Sequence, residues 1–262
     1  MEFVKLRIAI AGGVARLTFC DAGRGNPIDG LLCAELAEAA TILSEDRAVR
    51  SVLIAAEGKA FSYGGDIASF VGDLDALPTN IKRWTSTLHS AIARLQRMDA
   101  PVVAAVHGVC AGGMAAFVAG ADVLVASPDA AFVSAYAGIG YSNDAGSSIM
   151  YARRMGIGRT RRFLLMGETL RAADALTVGL VDEVVARDAL LARAEEIATQ
   201  LAAGPTRAFG EMRRLLNSVA DQPLETQLEL EAQALARTAA TADAREGLVA
   251  FAERRSPRFT GA

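Results

Sequence analysis

Between Ala100 and Ala121 the chain carries no charged side chain apart from a protonatable His107, and Gly108, Gly112, Gly113 and Gly120 interrupt it. About 20 apolar residues suffice to cross a bilayer. The four glycines, Pro101 at the head of the run and the lack of a second such run argue against a membrane span. The segment must therefore be buried inside a protein core. Val102–Val106 reads as a short buried strand; the chain then turns on Gly108, opens at Gly112 and Gly113 and continues as a small-residue helix. A strand that ends in paired glycines and starts a helix leaves N–H groups free, with the positive end of the helix dipole behind them. Such donors suit an anion, or an oxygen on which negative charge develops, so the functional reading is an oxyanion hole or a phosphate cradle. The structural alternative is close helix packing through glycine and alanine.

The 262 residues, 52% hydrophobic and 22% charged, suffice for a large core in one domain, or one domain with an appendage. A net charge of -3 argues against general nucleic-acid binding. Arg153, Arg154, Arg159, Arg161 and Arg162 form a local basic cluster that reads as a solvated helix face. Cys20, Cys33 and Cys110 lack metal-ligand spacing and cannot all pair, which points to a soluble protein of the reducing cytoplasm. Met1–Ile10 alternates charged and apolar residues as a strand does, unlike a signal peptide.

In chain order, Phe3–Ile10 and Val14–Cys20 flank Gly12 and Gly13 and predict a β-hairpin. A turn-rich loop holding Arg24 and Asn26 leads to a helix with Leu31, Leu32, Leu36 and Ala39 at helical spacing and Asp29 as N-cap. Ser51–Ala55 is the next strand. The second glycine-rich loop, residues 57–66, again ends at a helix start, since Ile67, Phe70 and Val71 open a new apolar stripe. Asp73–Thr79 reads as a mobile connection, and Ile81–Met98 as a long amphipathic helix with Trp84, Leu88, Ile92 and Leu95 on one face. Strands at Val123–Ala126 and Ala131–Ser134 precede Ala135–Ser148, a Gly-, Ser- and Asn-rich loop of the kind that carries sites. Helices at Ile149–Met155, Arg159–Met166 and Arg171–Val178 and a strand at Leu180–Val185 follow. Ala189–Ala203, Thr206–Ser218, Leu224–Ala239 and Ala242–Glu253 make the remainder helical, either a cap on the core or a docking element between subunits.

Three segments, FSYGGDI (Phe61–Ile67), PVVAAVHGVCAGGMAAFVAGAD (Pro101–Asp122) and AREGLVAFAERRSPRF (Ala244–Phe259), resemble the crotonase superfamily in order and spacing. That is the enoyl-CoA hydratase/isomerase family. GNPID (Gly25–Asp29) and Gly167–Val185 are weaker echoes. The resemblance implies an α/β fold, a spiral of ββα units over residues 1–200 that binds acyl-CoA, with a helical C-terminal trimerisation region over residues 201–262. It implies trimers or pairs of trimers and an acyl-CoA thioester substrate, with coenzyme A entering only as part of it. No tightly bound cofactor or metal and no nucleic-acid or membrane partner is expected. By the resemblance, the N–H groups of Gly65 and Gly113 form the oxyanion hole. The backbone around Ser62, Tyr63 and Gly65, with Asp66 beside it, would meet the CoA adenine. Arg24 and Lys59 would meet its phosphates, their alternative being ordinary surface cations. Charge on a thioester oxygen suits two preorganised backbone donors, and losing one such donor typically costs roughly 3–4 kcal/mol of transition-state stabilisation.

The chain departs from the hydratases, which use two glutamates: those positions fall on Ala116 and Tyr136. One carboxylate remains nearby, Asp144 in GIGYSNDAG. It resembles in position the acidic residue that isomerases use as a base and that chlorobenzoyl-CoA dehalogenases use as a nucleophile; its alternative role is N-cap of a helix over Ala145–Met155. His89 sits where a dehalogenase histidine would, or is a partly buried helix histidine. Tyr136 stands at a dehalogenase tryptophan position and packs beside the acyl group, donating its hydroxyl, unless it is purely structural. The leading expectation is an acyl-CoA isomerase in which Asp144 shuttles a proton. Hydration or dehalogenation on the same fold, and CoA-thioester binding without catalysis, are the alternatives.

Overall fold

The computed structural model describes residues 3–262. It opens with an antiparallel pair, β1 (Leu6–Ala11) and β2 (Val14–Phe19), closed by Gly12 and Gly13. Both glycines have positive φ, as a two-residue hairpin turn requires. β2 then pairs in parallel with β3 (Ser51–Ala56), β3 with β4 (Val102–Val106), β4 with β6 (Val123–Ala126) and β6 with the short β9 (Glu183–Val184). Every residue of β4 is buried, because a central parallel strand is covered on both faces. Val102, Ala104 and Val106 join the larger core with helices α1 (Gly30–Glu45), α3 (Leu77–Arg97) and α4 (Gly112–Ala119). Val103 and Ala105 point the other way, against Leu190, Ala194, Ile197 and Ala198 of α7 (Leu190–Ala202).

A second, three-stranded sheet holds β5 (Val109–Ala111), β7 (Ala131–Val133) and β8 (Thr169–Arg171) in that order. Its first neighbour is Ser62, which forms a single parallel bridge to Cys110. The chain thus repeats one step: a strand in the large sheet, a strand or bridge in the small one, then a helix. β3, Ser62 and α2 (Ile67–Gly72) with α3 make one turn; β4, β5 and α4 the next; β6, β7 and α5 (Ser147–Leu165) the third. Each turn stacks on the last, so Gly65 and Gly113, which lie at equivalent points of successive turns, become neighbours.

The sequence did not announce β5 or β8, since three residues are too few for a period to show. α3 begins at Leu77, inside the segment expected to be a mobile connection; Pro78 sits in its first turn, where a missing N–H costs nothing. The two helices expected around residues 149–166 are the arms of α5 on either side of Gly156, whose φ of 75° breaks the helix. Leu180–Val185 contributes only the two residues of β9 to the sheet. α6 (Ala172–Thr177) follows β8, and α7, α8 (Thr206–Ser218), α9 (Leu224–Ala239) and α10 (Ala242–Ala252) complete the helical remainder. Ala100–Ala121 is divided among β4, β5 and α4, and no described helix is long and apolar enough to cross a membrane. Cys20, Cys33 and Cys110 are free thiols.

Two arginines tie the C-terminal half to the core. Arg213 of α8 is buried and donates to the carbonyls of Leu95 (2.9 Å), Ala100 (3.0 Å) and Met98, while pairing with Asp122 at 2.9 Å. It therefore caps the C-terminal end of α3 and fixes the entry to β4. Arg154 donates to the Ala119 and Ala121 carbonyls at 2.8 and 2.7 Å and pairs with Asp182. Arg159 and Arg162 both pair with Glu168, and Arg153 bonds Asn217. Arg153, Arg161 and Arg162 are exposed, as on a solvated face, while Arg154 is drawn inward to cap α4 and Arg159 is half-buried against Glu168.

Candidate active site

A cavity of about 310 Å³ opens between α2, α3, the start of α4 and the residue 135–144 loop. Its wall is mostly apolar, and its few polar groups include the Asp144 carboxylate and the Tyr136 hydroxyl.

The back of the cavity is backbone. Ile28 pairs with the residue 64–66 segment as an isolated parallel bridge: its N–H donates to Gly64 O (2.7 Å) and its C=O accepts from Asp66 N (3.1 Å). That pairing uses the groups flanking Gly65 and leaves the Gly65 N–H on the opposite edge, where it has no hydrogen-bond partner among the described residues. Gly113 is the second residue of α4, so its N–H has no intrahelical acceptor, and the N-cap Ala111 offers no side-chain acceptor. Gly64 explains how the two loops come so close. Its φ is +84°, and a Cβ on it would stand 3.0 Å from Ala111 O. Both the backbone conformation and the approach exclude a side chain.

The Asp144 carboxylate stands beside Gly113: a Cβ built on Gly113 would lie 3.2 Å from Asp144 Oδ1. The Tyr136 hydroxyl donates to the same oxygen at 2.7 Å. Burial above all, then the negative charge of Asp144 and the bond to it, push the Tyr136 phenol well above its ordinary range, so it remains a donor. Asp144 is not a helix cap. α5 begins at Ser147 after Gly146, and only the Asp144 carbonyl engages it, by accepting from Ser147 N at 2.9 Å. The residues next to the pair, Ala135 (φ 59°) and Ala145 (φ 53°), are both left-handed, a strained conformation for alanine that the surrounding packing must hold. His89 supplies part of that hold, since its Nε2 accepts the Ala145 N–H at 3.1 Å. The bond requires a bare Nε2, so the neutral ring carries its proton on Nδ1. His89 is exposed and lines an outer groove that adjoins the main cavity, the two sharing Ile81, Thr85, Tyr141, Ser142 and Asp144.

Ser62 is fully buried: its hydroxyl donates to Asn26 O (2.7 Å) and accepts from Gly64 N (3.0 Å), which shapes the loop and leaves only backbone for a ligand. Tyr63 is 57% exposed, lines the cavity mouth and packs its ring on Gly25. Asp66 caps α2 through Ser69 and pairs with Arg24 at 2.5 Å. Burial opposes its charge, but the bonds from Ser69 and Arg24 prevail and hold its carboxyl below the usual range. Arg24, expected at a phosphate, is already engaged by Asp66, Asp29 (3.2 Å) and Asp21 (3.5 Å). Lys59 is exposed and makes no ion pair among the described residues. Ala116 is buried in α4 and is not part of the cavity wall. No described group of three or more His, Cys, Asp or Glu side chains is placed to hold a metal.

Sequence reading missed three contributors. Asn26 donates to the carbonyls of Glu57 (2.9 Å) and Phe61 (3.0 Å), stitching the first loop to the second; its φ of 51° had no visible signature. Ile28 supplies both the bridge to Gly65 and a wall beside Gly113. Phe70, Trp84 and Tyr141, from three different elements, meet as a layer of rings, which no local period could reveal.

A spiral of ββα steps that brings two free amides and one carboxylate to a single apolar cavity is the crotonase-type fold. The profile described as enoyl-CoA hydratase/isomerase matches residues 9–262. The chain belongs to the enoyl-CoA hydratase/isomerase family. It is 32% identical to 1,2-epoxyphenylacetyl-CoA isomerase of Escherichia coli, over 100% of this chain and 99% of that one. It is 31% identical to trans-2-decenoyl-[acyl-carrier-protein] isomerase of Streptococcus mutans, over 100% of both. Among solved structures, a putative enoyl-CoA hydratase from Streptomyces coelicolor superposes with a TM-score of 0.93 at 32% identity, covering 100% of this chain and 96% of that one.

Proposed function

We propose that the protein isomerises an acyl-CoA thioester through an enolate. The Gly65 and Gly113 amides hold the thioester oxygen, and Asp144 takes a proton from a carbon of the acyl chain. The C–H electron pair moves into the conjugated system and its charge rests on the oxygen; the protonated Asp144 then returns the proton to a different carbon. Tyr136 orients the carboxylate through its hydroxyl. One observation carries the reading: Asp144 Oδ1 stands beside Gly113 at the edge of an apolar cavity, while alanine and tyrosine occupy the two positions of the hydratase glutamates. The two relatives named above are both named isomerases, although their acyl groups differ. His89 supports the dehalogenase alternative less well, because it borders the outer groove and is committed to the Ala145 amide.

Asp144→Asn tests the mechanism. The variant should still bind an acyl-CoA, while exchange of acyl protons with D2O, and isomerisation of unsaturated acyl-CoA substrates, should fall by about 10²–10⁴. Parental rates in the variant would end the proposal. Acyl-CoA binding with no exchange even in the parent would favour the non-catalytic reading.

The remaining expectations extend the same reading. Lys59 is the better placed of the two cations for a CoA phosphate, since Arg24 is already paired. Residues 201–262 would join subunits into a trimer or a pair of trimers. Leu216 (68% exposed), Leu235 (72%) and Phe251 (86%) on three successive helices are the kind of apolar surface that association covers. Sedimentation giving a monomer at micromolar concentration would refute this.

A further inference from the structure

The wall of the cavity beside Gly65 is made of aromatic rings lying in nearly one orientation. Phe70 of α2 is the middle ring. Its centroid is 6.0 Å from Trp84 of α3 at an interplanar angle of 20°, and 6.4 Å from Tyr141 of the residue 135–144 loop at 18°. All three line the cavity. The layer starts right at the amide assigned above to the thioester oxygen: a Cβ on Gly65 would lie 3.0 Å from Phe70 Cε2 and Cζ. A group attached to that carbonyl therefore has Phe70 within reach.

We propose that the substrate's acyl group carries one aromatic ring within a carbon or two of the thioester carbonyl, and that Phe70, Trp84 and Tyr141 select it. The inference rests on the thioester reading of the cavity. Two features point to a ring rather than a long aliphatic chain. The cavity, at about 310 Å³, lies at the small end of ligand pockets, roughly 300–1,000 Å³. By itself it suits a compact group, and a longer one would have to run on past Tyr141 and Asp144 into the outer groove that shares these residues with it. The three stacked residues also make this wall aromatic, with the rings in one near-common orientation. An incoming ring can meet it offset-stacked or edge to face, and both arrangements are favourable beyond the area they bury; a puckered saturated group of the same size gains the area alone. The opposite wall does not reverse this preference, since Ile28 and Leu88 offer apolar contact to either group.

The test compares two CoA thioesters that match in size and differ in planarity, phenylacetyl-CoA and cyclohexylacetyl-CoA, by titration calorimetry with the full chain, and octanoyl-CoA as an extended control. The parent should bind phenylacetyl-CoA about tenfold more tightly than cyclohexylacetyl-CoA. Phe70→Leu and Trp84→Leu should bring that ratio close to one, chiefly by weakening the aromatic ester. A parental ratio near or below one overturns the inference whether or not the variants fold, as does a ratio that both variants preserve. Tightest binding of octanoyl-CoA also overturns it, while leaving the thioester reading intact. If no CoA thioester binds, the thioester reading fails and takes this inference with it.

Discussion

Alanine at Gly113 and alanine at Gly112 should fail in opposite ways. Gly113 is within α4 and outside the left-handed region, so a methyl group there brings no backbone strain. Helix propensity would even favour it, by up to about 1 kcal/mol. The new Cβ, however, would lie 3.2 Å from both Asp144 Oδ1 and Ile28 Cδ1 and 3.3 Å from Ala145 Cβ. Those neighbours must yield by a few tenths of an ångström, and the methyl would occupy the approach to the Gly113 amide beside the carboxylate. Gly112 is the reverse case. The nearest atom to its Cβ would be Gly64 Cα at 3.9 Å, so there is room, but its φ of +55° costs a non-glycine residue roughly 1–2 kcal/mol. Gly113→Ala should therefore unfold in urea like the parent, while incorporation of deuterium next to the thioester carbonyl, followed by NMR in D2O, falls on the order of 10²–10³, the usual consequence of losing one oxyanion donor. Gly112→Ala should lose about 1–2 kcal/mol in urea and keep most of its exchange where it remains folded. If Gly113→Ala exchanged at the parental rate, the assignment of that amide to the thioester oxygen would be wrong.

Tyr136→Phe removes the donor 2.7 Å from Asp144 Oδ1 and should slow exchange by roughly 10- to 100-fold, as the loss of a hydrogen bond to a charged group allows, while acyl-CoA affinity changes little. An unchanged rate would make the tyrosine purely structural. Arg213→Ala strips a buried cation from Asp122 and three carbonyls, so chemical denaturation should show a loss of about 3–5 kcal/mol; a loss under 1 kcal/mol would contradict the capping role. Burial, aided by Arg187, lowers the His107 pKa from 6.5, against the opposing bond to Gly58 O at 3.0 Å and the charge of Asp129. Because the folded value is the lower one, the unfolded chain binds the proton first, and stability should drop as pH falls below about 6.5. His107→Gln should flatten that part of the urea midpoint against pH; an identical slope in the variant would exclude His107 as its source.

Much of this was written locally. The apolar run Val102–Val106, the glycines after it and the Asp29 cap predict β4, the start of α4 and α1 because each depends on neighbours within a few residues. The family resemblance likewise lay in contiguous segments. Arg24 could not be placed from sequence, because its three carboxylate partners are set by how the residue 21–30 loop folds against Asp66. Asp144 could be singled out as the lone carboxylate, but only the structure decides whether it caps a helix or faces Gly113. That choice is made by Gly146, which starts α5 two residues later, and by the left-handed backbone of Ala145, held by His89 from 56 residues away.

The sequence by itself determined the order of the longer strands and most helices, though not β5 or β8, together with the burial of the glycine-interrupted run and the two glycine-rich loops, since periodicity and glycine placement are properties of a chain segment. The tertiary structure alone decided what stands around those amides. The ββα spiral packs Gly64 against Ala111 and Gly112, so that Gly65 and Gly113 line one cavity, swings Asp144 and Tyr136 in from a later turn, and brings Phe70, Trp84 and Tyr141 together as stacked rings. These contacts join residues from 8 to 71 positions apart that lie on different elements or turns, and close packing between elements fixes them, which no local pattern encodes.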